Sequence, residues 1–346
     1  MAGEKKVLRF GIAGAGRMGQ IHITNMIETR FIEVTAVVSV LPHELEWAKE
    51  NVDGVTLFSE FDEFIKSDLF DAVLIVTPNK LHKDNIFAAL HNGKHVFCEK
   101  PISPDAKSAW DVYYEAQKFP HLKVVCGFPR RYVPAYVEAA KKIKNGDIGK
   151  VINIRSQTTD LIMNNEYFVN YIKTSGGIFV DCCIHDIDVC LFLLGEDKTP
   201  SSVFATGTTN VFPVFKEFGD VDDGFGIIQF ESGDVIFNVY GSRDNQHGHH
   251  STTEVIGTKG RLVVNGQPRL LNLDVSDSTG TRMEGAETQM QVFGPAFKNE
   301  IEAFRDYVLY DKPVNFNLKD AVKAVSIGAA LMDSVHDSAL TEVKLY

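Results

Sequence analysis

Short runs of β-branched residues alternate with helical patterns through the first 125 residues of this chain. Residues 7–13 and 71–77 are apolar runs of strand length, and residues 16–29 and 82–92 have the apolar spacing of helices. Strands that alternate with helices in this way predict a parallel, doubly wound sheet. The other predicted strands are 34–39, 56–58, 95–99 and 124–128, and the other predicted helices are 42–51, 62–66 and 104–118.

The pattern changes after residue 128. Long segments now alternate apolar and polar residues, which indicates an antiparallel sheet with one covered face. These predicted strands are 151–158, 202–211, 223–230, 234–242, 253–257 and 261–265. The predicted helices are 135–145, 177–194, 300–310 and 319–335, and residues 274–288 are expected to form a mobile loop. We therefore expect two domains, 1–125 and 126–346.

The composition narrows the class of protein. A chain of 346 residues, 44% of them hydrophobic, is long enough for two domains with their own cores. The net charge of −11 argues against a nucleic-acid-binding surface, and no apolar run approaches the roughly 20 residues of a membrane span. The five cysteines show no CxxC pair and no zinc-like spacing. We expect buried, reduced thiols and a cytoplasmic protein.

A glycine-rich turn follows the first predicted strand and opens the first predicted helix. It reads Gly14-Ala15-Gly16-Arg17-Met18-Gly19. Glycines at these three positions permit a tight turn, close approach of the backbone to a pyrophosphate, and close packing of helix on strand. The spacing therefore predicts a dinucleotide site that includes Gly14, Gly16, Arg17, Met18 and Gly19.

The end of the second predicted strand bears on the choice of cofactor. An Asp or Glu about 20 residues after the glycine turn would hold the adenosine ribose hydroxyls of NAD. Ser39 stands there instead, as an expected cofactor contact whose hydroxyl could donate to the 2′-phosphate of NADP, with no carboxylate to repel that phosphate. This favours NADP over NAD, although no Arg or Lys stands nearby to bind the phosphate, and both cofactors stay open.

Several segments together resemble the glucose–fructose oxidoreductase / inositol dehydrogenase / MocA family. The segments are GIAGAGRMGQIH (11–22), TPNKLHKDN (77–85), GKHVFCEKP (93–101), GFPRRYVPAY (127–136), GGIFVDCCIHDID (176–188) and SRDNQHGHHSTTEVIGTKG (242–260). The resemblance implies a Rossmann domain followed by an open-faced, mainly antiparallel sheet domain. It also implies a homodimer or homotetramer that associates through the exposed face of that sheet.

The resemblance also assigns the catalytic groups. It implies that Lys100 lies beside the nicotinamide and that Asp181 and His185 face it. Asp181 and His185 are four residues apart on one predicted helix and would project from the same face. We expect His185 to act as general base in alcohol oxidation, Lys100 to polarise the reacting oxygen, and Asp181 to orient substrate hydroxyls. Proton transfer by Lys100 is the alternative, and Asp188 is either a support for His185 or a surface carboxylate.

Further cofactor contacts are expected at the carboxyl edge of the sheet, where doubly wound folds bind their ligands. For Asn79 and His82, capping of the loop is an equal alternative. The family often has a cis bond before the proline of its Glu-Lys-Pro motif, which here is Pro101. The expected contacts in these loops are Thr77, Pro78, Asn79, His82, Glu99 and Lys100.

The segment His247-Gly248-His249-His250 departs from the Tyr-Gly-Tyr-Asp that many inositol dehydrogenase-like members carry. Clustered imidazoles can bind a metal, but hydride transfer to nicotinamide needs none, and no cysteine or acidic residue stands at ligand spacing. We expect no metal and assign His247 to the polar lining of the substrate pocket. Thr158-Thr159-Asp160 also departs from the family's Ser-Arg-Asp.

The resemblance and the residues together imply an oxidoreductase. The expected reaction moves a hydride between a nicotinamide cofactor and a secondary hydroxyl or carbonyl of a cyclic polyol or sugar. Two alternatives stay within the enzyme class, a keto-sugar reductase and a dihydrodiol dehydrogenase. A third belongs to another class, a non-catalytic regulator that binds dinucleotide.

Overall fold

The computed structural model describes residues 6–161, 166–195, 198–246, 248–270 and 273–346. Among these, the chain forms two compact units. The N-terminal unit comprises the residues up to Ser103, Lys107–Tyr132 and Pro295–Val322, and the C-terminal unit comprises Pro104–Ala106, Val133–Gly294 and Lys323–Tyr346. The late segment Pro295–Val322 therefore belongs with the first half of the chain, which differs from a single cut near residue 126.

The N-terminal unit is built on a sheet of six parallel strands, as the alternating pattern predicts. The strand order is β3-β2-β1-β4-β5-β6, which is the doubly wound arrangement. The strands are β1 (Leu8–Ala13), β2 (Ile32–Val38), β3 (Thr56–Phe58), β4 (Ala72–Ile75), β5 (His95–Cys98) and β6 (Val124–Cys126).

Helices connect these strands. They are α1 (Arg17–Ile27), α2 (Pro42–Asn51), α3 (Phe61–Ile65), α4 (His82–His91) and α5 (Ala106–Gln117), with short 3₁₀ helices at Asn79–Leu81 and Pro129–Tyr132. Each of the five helices lies where the sequence predicts one, shifted by a few residues at its ends.

The C-terminal unit contains a seven-stranded sheet in the order β12-β11-β7-β10-β9-β8-β15. In the described chain its neighbouring strands are antiparallel except for β7 and β10, which are parallel. Its strands are β7 (Val151–Thr159), β8 (Pro200–Thr208), β9 (Asp223–Phe230), β10 (Ile236–Ser242), β11 (His250–Gly257), β12 (Arg261–Val264) and, at the edge, β15 (Thr341–Glu342).

The prediction of a mobile loop at 274–288 is wrong for part of this segment. Asp274–Asp277 (β13) and Gly280–Met283 (β14) pair as an antiparallel hairpin. Gly280 takes a φ of 129° at the turn, and the Thr279 N–H donates to Asp277 Oδ1. Most of the hairpin's side chains are exposed, so it lacks the apolar alternation by which a sequence reveals a strand.

The remaining helices differ from the prediction, which had no helix at Glu166–Ile172 and began the helix Gln289–Tyr310 only at residue 300. The segment 177–194 was predicted as one helix but forms two, because the helical conformation is interrupted at Cys182 and Cys183. The helices of this part of the chain are α6 (Pro134–Lys144), α7 (Glu166–Ile172), α8 (Ile178–Asp181), α9 (Ile184–Leu194), α10 (Gln289–Tyr310) and α11 (Leu318–Asp337), with a 3₁₀ helix at Pro213–Phe218. Among the described residues, no helix is long and apolar enough to cross a membrane.

The core of the N-terminal unit explains why most of α10, from Pro295 onward, belongs to it. Phe304 is fully buried, and its ring centroid lies 5.7 Å from that of Phe10 on β1 and 5.5 Å from that of Phe97 on β5. Aromatic side chains of this size contribute large buried areas, so the helix that carries Phe304 completes the core of the parallel sheet. All five cysteines are buried, and none of them forms a disulfide, as expected.

Candidate active site

The glycine turn has the geometry of a phosphate cradle. Gly14 takes a φ of 97°, and a Cβ atom there would lie 2.8 Å from the Val76 carbonyl oxygen. A Cβ on Gly19 would lie 2.3 Å from the Gly14 carbonyl oxygen. Only glycine fits at these two positions. Gly16 caps α1, so the N–H groups of Arg17 and Met18 in its first turn are placed to receive an anion.

A carboxylate lies beside this turn, and the sequence-based inference that none is available is wrong. Glu44 is in the first turn of α2, five residues after Ser39. Its Oε2 accepts hydrogen bonds from the Ser39 hydroxyl at 2.6 Å and from the Ala15 N–H at 3.1 Å. The end of β2 itself carries no acid, but the first turn of α2 brings the Glu44 carboxylate to the same place.

His82 links two loops at this edge of the sheet. Its ring is buried, with Nδ1 2.8 Å from the Pro101 carbonyl oxygen and Nε2 2.8 Å from the Thr77 carbonyl oxygen. Burial lowers the pKa of His82, and these carbonyl contacts oppose the shift. Both ring nitrogens face backbone oxygens, which favours the capping alternative for His82. Pro78 is exposed at the start of the same loop, and Asn79 begins its 3₁₀ turn half-buried.

Glu99 positions the backbone of the Glu-Lys-Pro motif. Its Oε2 accepts a hydrogen bond from the Lys100 N–H at 3.1 Å, and its Oε1 lies 2.5 Å from His22 Nε2. Burial opposes ionisation, but the hydrogen bond with His22 and the charges of His22 and Lys100 hold the pKa of Glu99 below its usual value. The peptide bond between Lys100 and Pro101 is cis, as the resemblance implies.

His22 is a residue that the sequence analysis missed. It lies on α1, three residues after Gly19, and is fully buried. His22, Glu99 and Glu300 of α10 place possible ligand atoms within 4.8 Å of one another. Because His22 and Glu99 already bond each other and Glu99 holds the Lys100 backbone, we assign this group to the positioning of Lys100 rather than to a metal. Lys100 itself is half-buried.

Asp181 and His185 lie in the C-terminal unit, on two helices rather than one. Asp181 is the last residue of α8, and His185 is in the first turn of α9. Both side chains are buried. The expectation that they share the face of a single regular helix is therefore wrong, because Cys182 and Cys183 separate the two helices.

The Asp181 carboxylate is held at both of its oxygens. Oδ1 accepts a hydrogen bond from the Tyr171 hydroxyl of α7 at 2.6 Å, and Oδ2 accepts one from Arg243 Nη1 at 2.9 Å. Neither Tyr171 nor Arg243 was identified from the sequence. Tyr171 carried no motif, and Arg243 could be found only as part of the resembling segment SRDNQHGHH.

The start of α9 is tied to the sheet by Asp186. Its two carboxylate oxygens accept hydrogen bonds from Ser156 and Thr158 of β7, both at 2.6 Å. The helix turn that carries the neighbouring His185 is thereby held against β7 by a residue that was not selected from the sequence. Asp188 is fully buried, so its interpretation as a surface carboxylate is wrong.

The two histidines after β10 that the structure describes, His249 and His250, contact different partners. His249 Nδ1 lies 2.6 Å from Asp160 Oδ1, whereas His250 Nε2 lies 2.8 Å from the Asn265 carbonyl oxygen. Burial would raise the pKa of Asp160, but the hydrogen bond with His249 and the imidazole charge lower it. His247, the residue proposed for the substrate pocket, lies outside the described residues.

Two protein-family models match the chain, one in its N-terminal part and one in its C-terminal part. Residues 8–126 match the model described as an oxidoreductase family with an NAD-binding Rossmann fold. Residues 140–345 match the C-terminal α/β domain of the same oxidoreductase family. The predicted dinucleotide-binding domain and the predicted family are thereby confirmed.

Individual relatives are similar over nearly the whole chain. The scyllo-inositol 2-dehydrogenase (NAD(+)) of Bacillus subtilis (strain 168) is 32% identical over 334 residues, which is 94% of each chain. The inositol 2-dehydrogenase of Rhizobium meliloti (strain 1021) is 32% identical over 329 residues, which is 95% of this chain and 97% of the relative.

The solved structures lead to the same family. The scyllo-inositol dehydrogenase from Lactobacillus casei with bound NAD(H) and scyllo-inositol matches with a TM-score of 0.91 and 32% identity, and the match covers 98% of this chain and 99% of that one. The chain is therefore an oxidoreductase, and it belongs to the Gfo/Idh/MocA family.

Proposed function

We propose that this chain is an NAD-dependent dehydrogenase that oxidises a secondary hydroxyl of an inositol-like cyclic polyol and reduces the corresponding ketone. The observation that carries the proposal is the joint presence of Lys100, Asp181 and His185 in a chain that is similar from end to end to named inositol dehydrogenases. A dinucleotide-binding regulator has no use for an acid/base group of this kind.

Each of the three side chains has a proposed part in the reaction. His185 takes the hydroxyl proton during oxidation and returns it during reduction, which suits imidazole near neutral pH. Lys100 stabilises the negative charge that develops on the reacting oxygen. Asp181 accepts a hydrogen bond from a substrate hydroxyl and so orients the ring. A nicotinamide cofactor bound in this domain would supply the site that accepts the hydride. Proton transfer by Lys100 is the competing assignment.

The chain's own residues fit a bound dinucleotide. Gly14 and Gly19 shape the turn, and the first turn of α1 offers N–H groups to the pyrophosphate. His82, Glu99 and His22 hold the neighbouring loops in place. Thr77, Pro78 and Asn79 remain proposed contacts, because they follow β4 at the carboxyl edge of the parallel sheet.

We propose NAD rather than NADP as the preferred cofactor. NADP was favoured because no carboxylate was expected near Ser39, but Glu44 supplies one at 2.6 Å from the Ser39 hydroxyl. A carboxylate there can accept hydrogen bonds from ribose hydroxyls and repels a 2′-phosphate. The names of the similar dehydrogenases, which specify NAD(+) or NAD(H), support the same choice.

The activity is tested with a panel of substrates and both cofactors. Purified protein is mixed with myo-inositol, scyllo-inositol, an aldose, a dihydrodiol or, with reduced cofactor, a keto-sugar, and the change in reduced cofactor is followed by absorbance. We expect the highest kcat/KM with an inositol and NAD. Preference for the keto-sugar or the dihydrodiol would establish one of the other two reactions, and cofactor binding without turnover would establish the regulator.

Glu44→Gln tests the choice of cofactor. The amide keeps the size of the side chain but loses the charge, so we expect the ratio of kcat/KM for NADP to that for NAD to rise about tenfold, the order expected for losing a hydrogen bond to a charged group. Equilibrium binding of NADH and NADPH by fluorescence should move in the same direction. Glu46→Gln makes the same charge change at an exposed position of α2 and is the control. An unchanged ratio in Glu44→Gln would show that Glu44 does not face the ribose.

We also propose that the chain is a cytoplasmic homodimer or homotetramer. One face of the seven-stranded sheet carries large apolar side chains that are exposed in the single chain, and exposed apolar surface of this kind marks an interface. These residues are Phe204, Phe225, Ile236 and Val263. The five buried cysteines form no disulfides, which suits a reducing compartment. Light scattering of the purified protein measures the oligomeric state directly.

A further inference from the structure

Arg243 is a cation enclosed by the C-terminal unit. It follows directly after β10, and its N–H donates to the Asp222 carbonyl oxygen at 2.8 Å. Only 2% of its surface is exposed. A buried charge is tolerated when it is paired, because removing it from water costs far more than burying an apolar side chain.

Two carboxylates pair with this guanidinium. Nη1 donates to Asp181 Oδ2 at 2.9 Å, and Nη2 approaches Asp220 Oδ2 at 3.4 Å. Phe168 of α7 lies against the same group, with its ring centroid 5.9 Å from the guanidinium carbon. Burial would lower the pKa of Arg243, but the two carboxylates raise it above its usual value, so the group stays charged.

Asp220 gives this arrangement a fixed anchor. Its Oδ1 accepts hydrogen bonds from the Ile178 and Val221 N–H groups, both at 2.8 Å. Ile178 begins α8, and Asp181 ends it. The short helix is therefore held at its first residue by Asp220 and at its last residue by Arg243, and Arg243 contacts both aspartates.

We propose that Arg243 is a positioning residue that holds Asp181 in the orientation needed to receive a substrate hydroxyl. Asp181 has two oxygens, each with its own hydrogen-bond donor, Tyr171 on one side and Arg243 on the other. Two directed bonds from different elements fix the plane of the carboxylate, which a single donor would leave free to rotate. This inference rests on the proposed function, since it assigns Asp181 to the substrate.

A double-mutant cycle separates positioning from a general structural role. Arg243→Met, Asp181→Asn and the double variant are assayed with the preferred polyol and NAD, and NADH binding is measured by fluorescence. We expect Arg243→Met to lower kcat/KM by roughly 10- to 100-fold with NADH binding unchanged within about twofold, since contacting groups couple strongly. In the Asp181→Asn background the same change should cost less than about threefold. Arg243→Lys should recover part of the loss, because it keeps the charge but offers no forked pair of donors.

Arg131→Met is the matched control. Arg131 forms a buried pair with Asp320 in the N-terminal unit, at 3.1 Å, and is as enclosed as Arg243. Arg131→Met should lower kcat/KM by the same factor in the parent protein and in the Asp181→Asn background. The effects of the two substitutions should therefore be additive in free energy.

Two results of the double-mutant cycle would contradict the proposal. An equal loss from Arg243→Met in both Asp181 backgrounds would overturn the positioning role, as would full activity in Arg243→Met. If Arg243→Met does not fold, the same cycle with Arg243→Lys decides the question by the same criterion. A parent protein that turns over no polyol refutes the proposed function, and the positioning role with it.

Discussion

The two units build their polar sites in different ways. In the N-terminal unit the phosphate cradle consists of backbone groups, and its shape depends on glycines such as Gly19, where a Cβ would lie 2.3 Å from a carbonyl oxygen. In the C-terminal unit the site consists of buried side chains that hold one another, such as Asp181 with Arg243 and Asp186 with Thr158. A site made of backbone groups can be recognised from a short sequence motif. A network of side chains cannot, because it joins residues that are far apart in the chain.

Lys100 is the exception within the N-terminal unit. Its backbone is held by Glu99, which is paired in turn with His22 of α1, 77 residues away in sequence. The Glu-Lys-Pro motif identified Lys100 and Glu99, but the partner that orients them was visible only in the fold. Substitutions in the side-chain site should therefore mainly lower turnover, whereas substitutions in the backbone site should mainly weaken cofactor binding.

The largest expected effect is on the side-chain site. His185→Asn keeps a hydrogen-bonding group but cannot titrate, so kcat/KM for polyol oxidation should fall by roughly 10²–10⁴, the usual contribution of a positioned acid or base. In the parent, kcat/KM should rise with pH through one apparent pKa as the base becomes neutral, and this limb should flatten in the variant. Rates measured across pH with saturating NAD test both points.

Two comparisons sharpen the His185 experiment. His91→Asn changes an exposed histidine of α4 and should keep the pH profile of the parent. If the rise of kcat/KM with pH persists in His185→Asn and is lost in a Lys100 variant, Lys100 rather than His185 is the group that transfers the proton.

Lys100→Met is expected to have the next largest effect. It removes a positive charge while nearly keeping the volume, and turnover should fall by about a hundredfold, the scale of losing one electrostatic stabiliser. NADH binding should survive, because the phosphate cradle is made of backbone. Lys94→Met removes another lysine near β5, one that donates to the Ser67 and Phe70 carbonyl oxygens, and should lower stability without this loss of turnover. Activity within a few-fold of the parent would remove Lys100 from the mechanism.

The smallest effect expected is on the backbone site, and it should appear in binding. Gly19→Ala places a methyl group against the Gly14 carbonyl oxygen, so the turn must move and NADH should bind about tenfold more weakly, as a lost hydrogen bond to a charged group would cause. Gly294→Ala, where a Cβ meets nothing within 4 Å, is the control and should bind NADH like the parent. Fluorescence titration measures both, and equal affinities would show that Gly19 is not needed for the cradle.

Local pattern was sufficient for much of the fold. The strands of the parallel sheet and the long strands of the second sheet were predictable because a buried strand needs apolar runs and a half-buried one needs alternation. The hairpin Asp274–Met283 was not, because it is exposed on both faces. The break between α8 and α9 was also hidden, since the apolar pattern continues through Cys182 and Cys183.

The glycine turn and the motifs that contain Lys100, Asp181 and His185 were recognisable in the sequence, because each depends on residues close together in the chain. Only the folded chain brings Glu44 to the glycine turn, His22 to Glu99 and Arg243 to Asp181. Folding also places Phe304 in the core of the first sheet. Hydrogen bonds and packing act over a few ångströms of space whatever the separation in sequence, so these partners become visible only when the chain is folded.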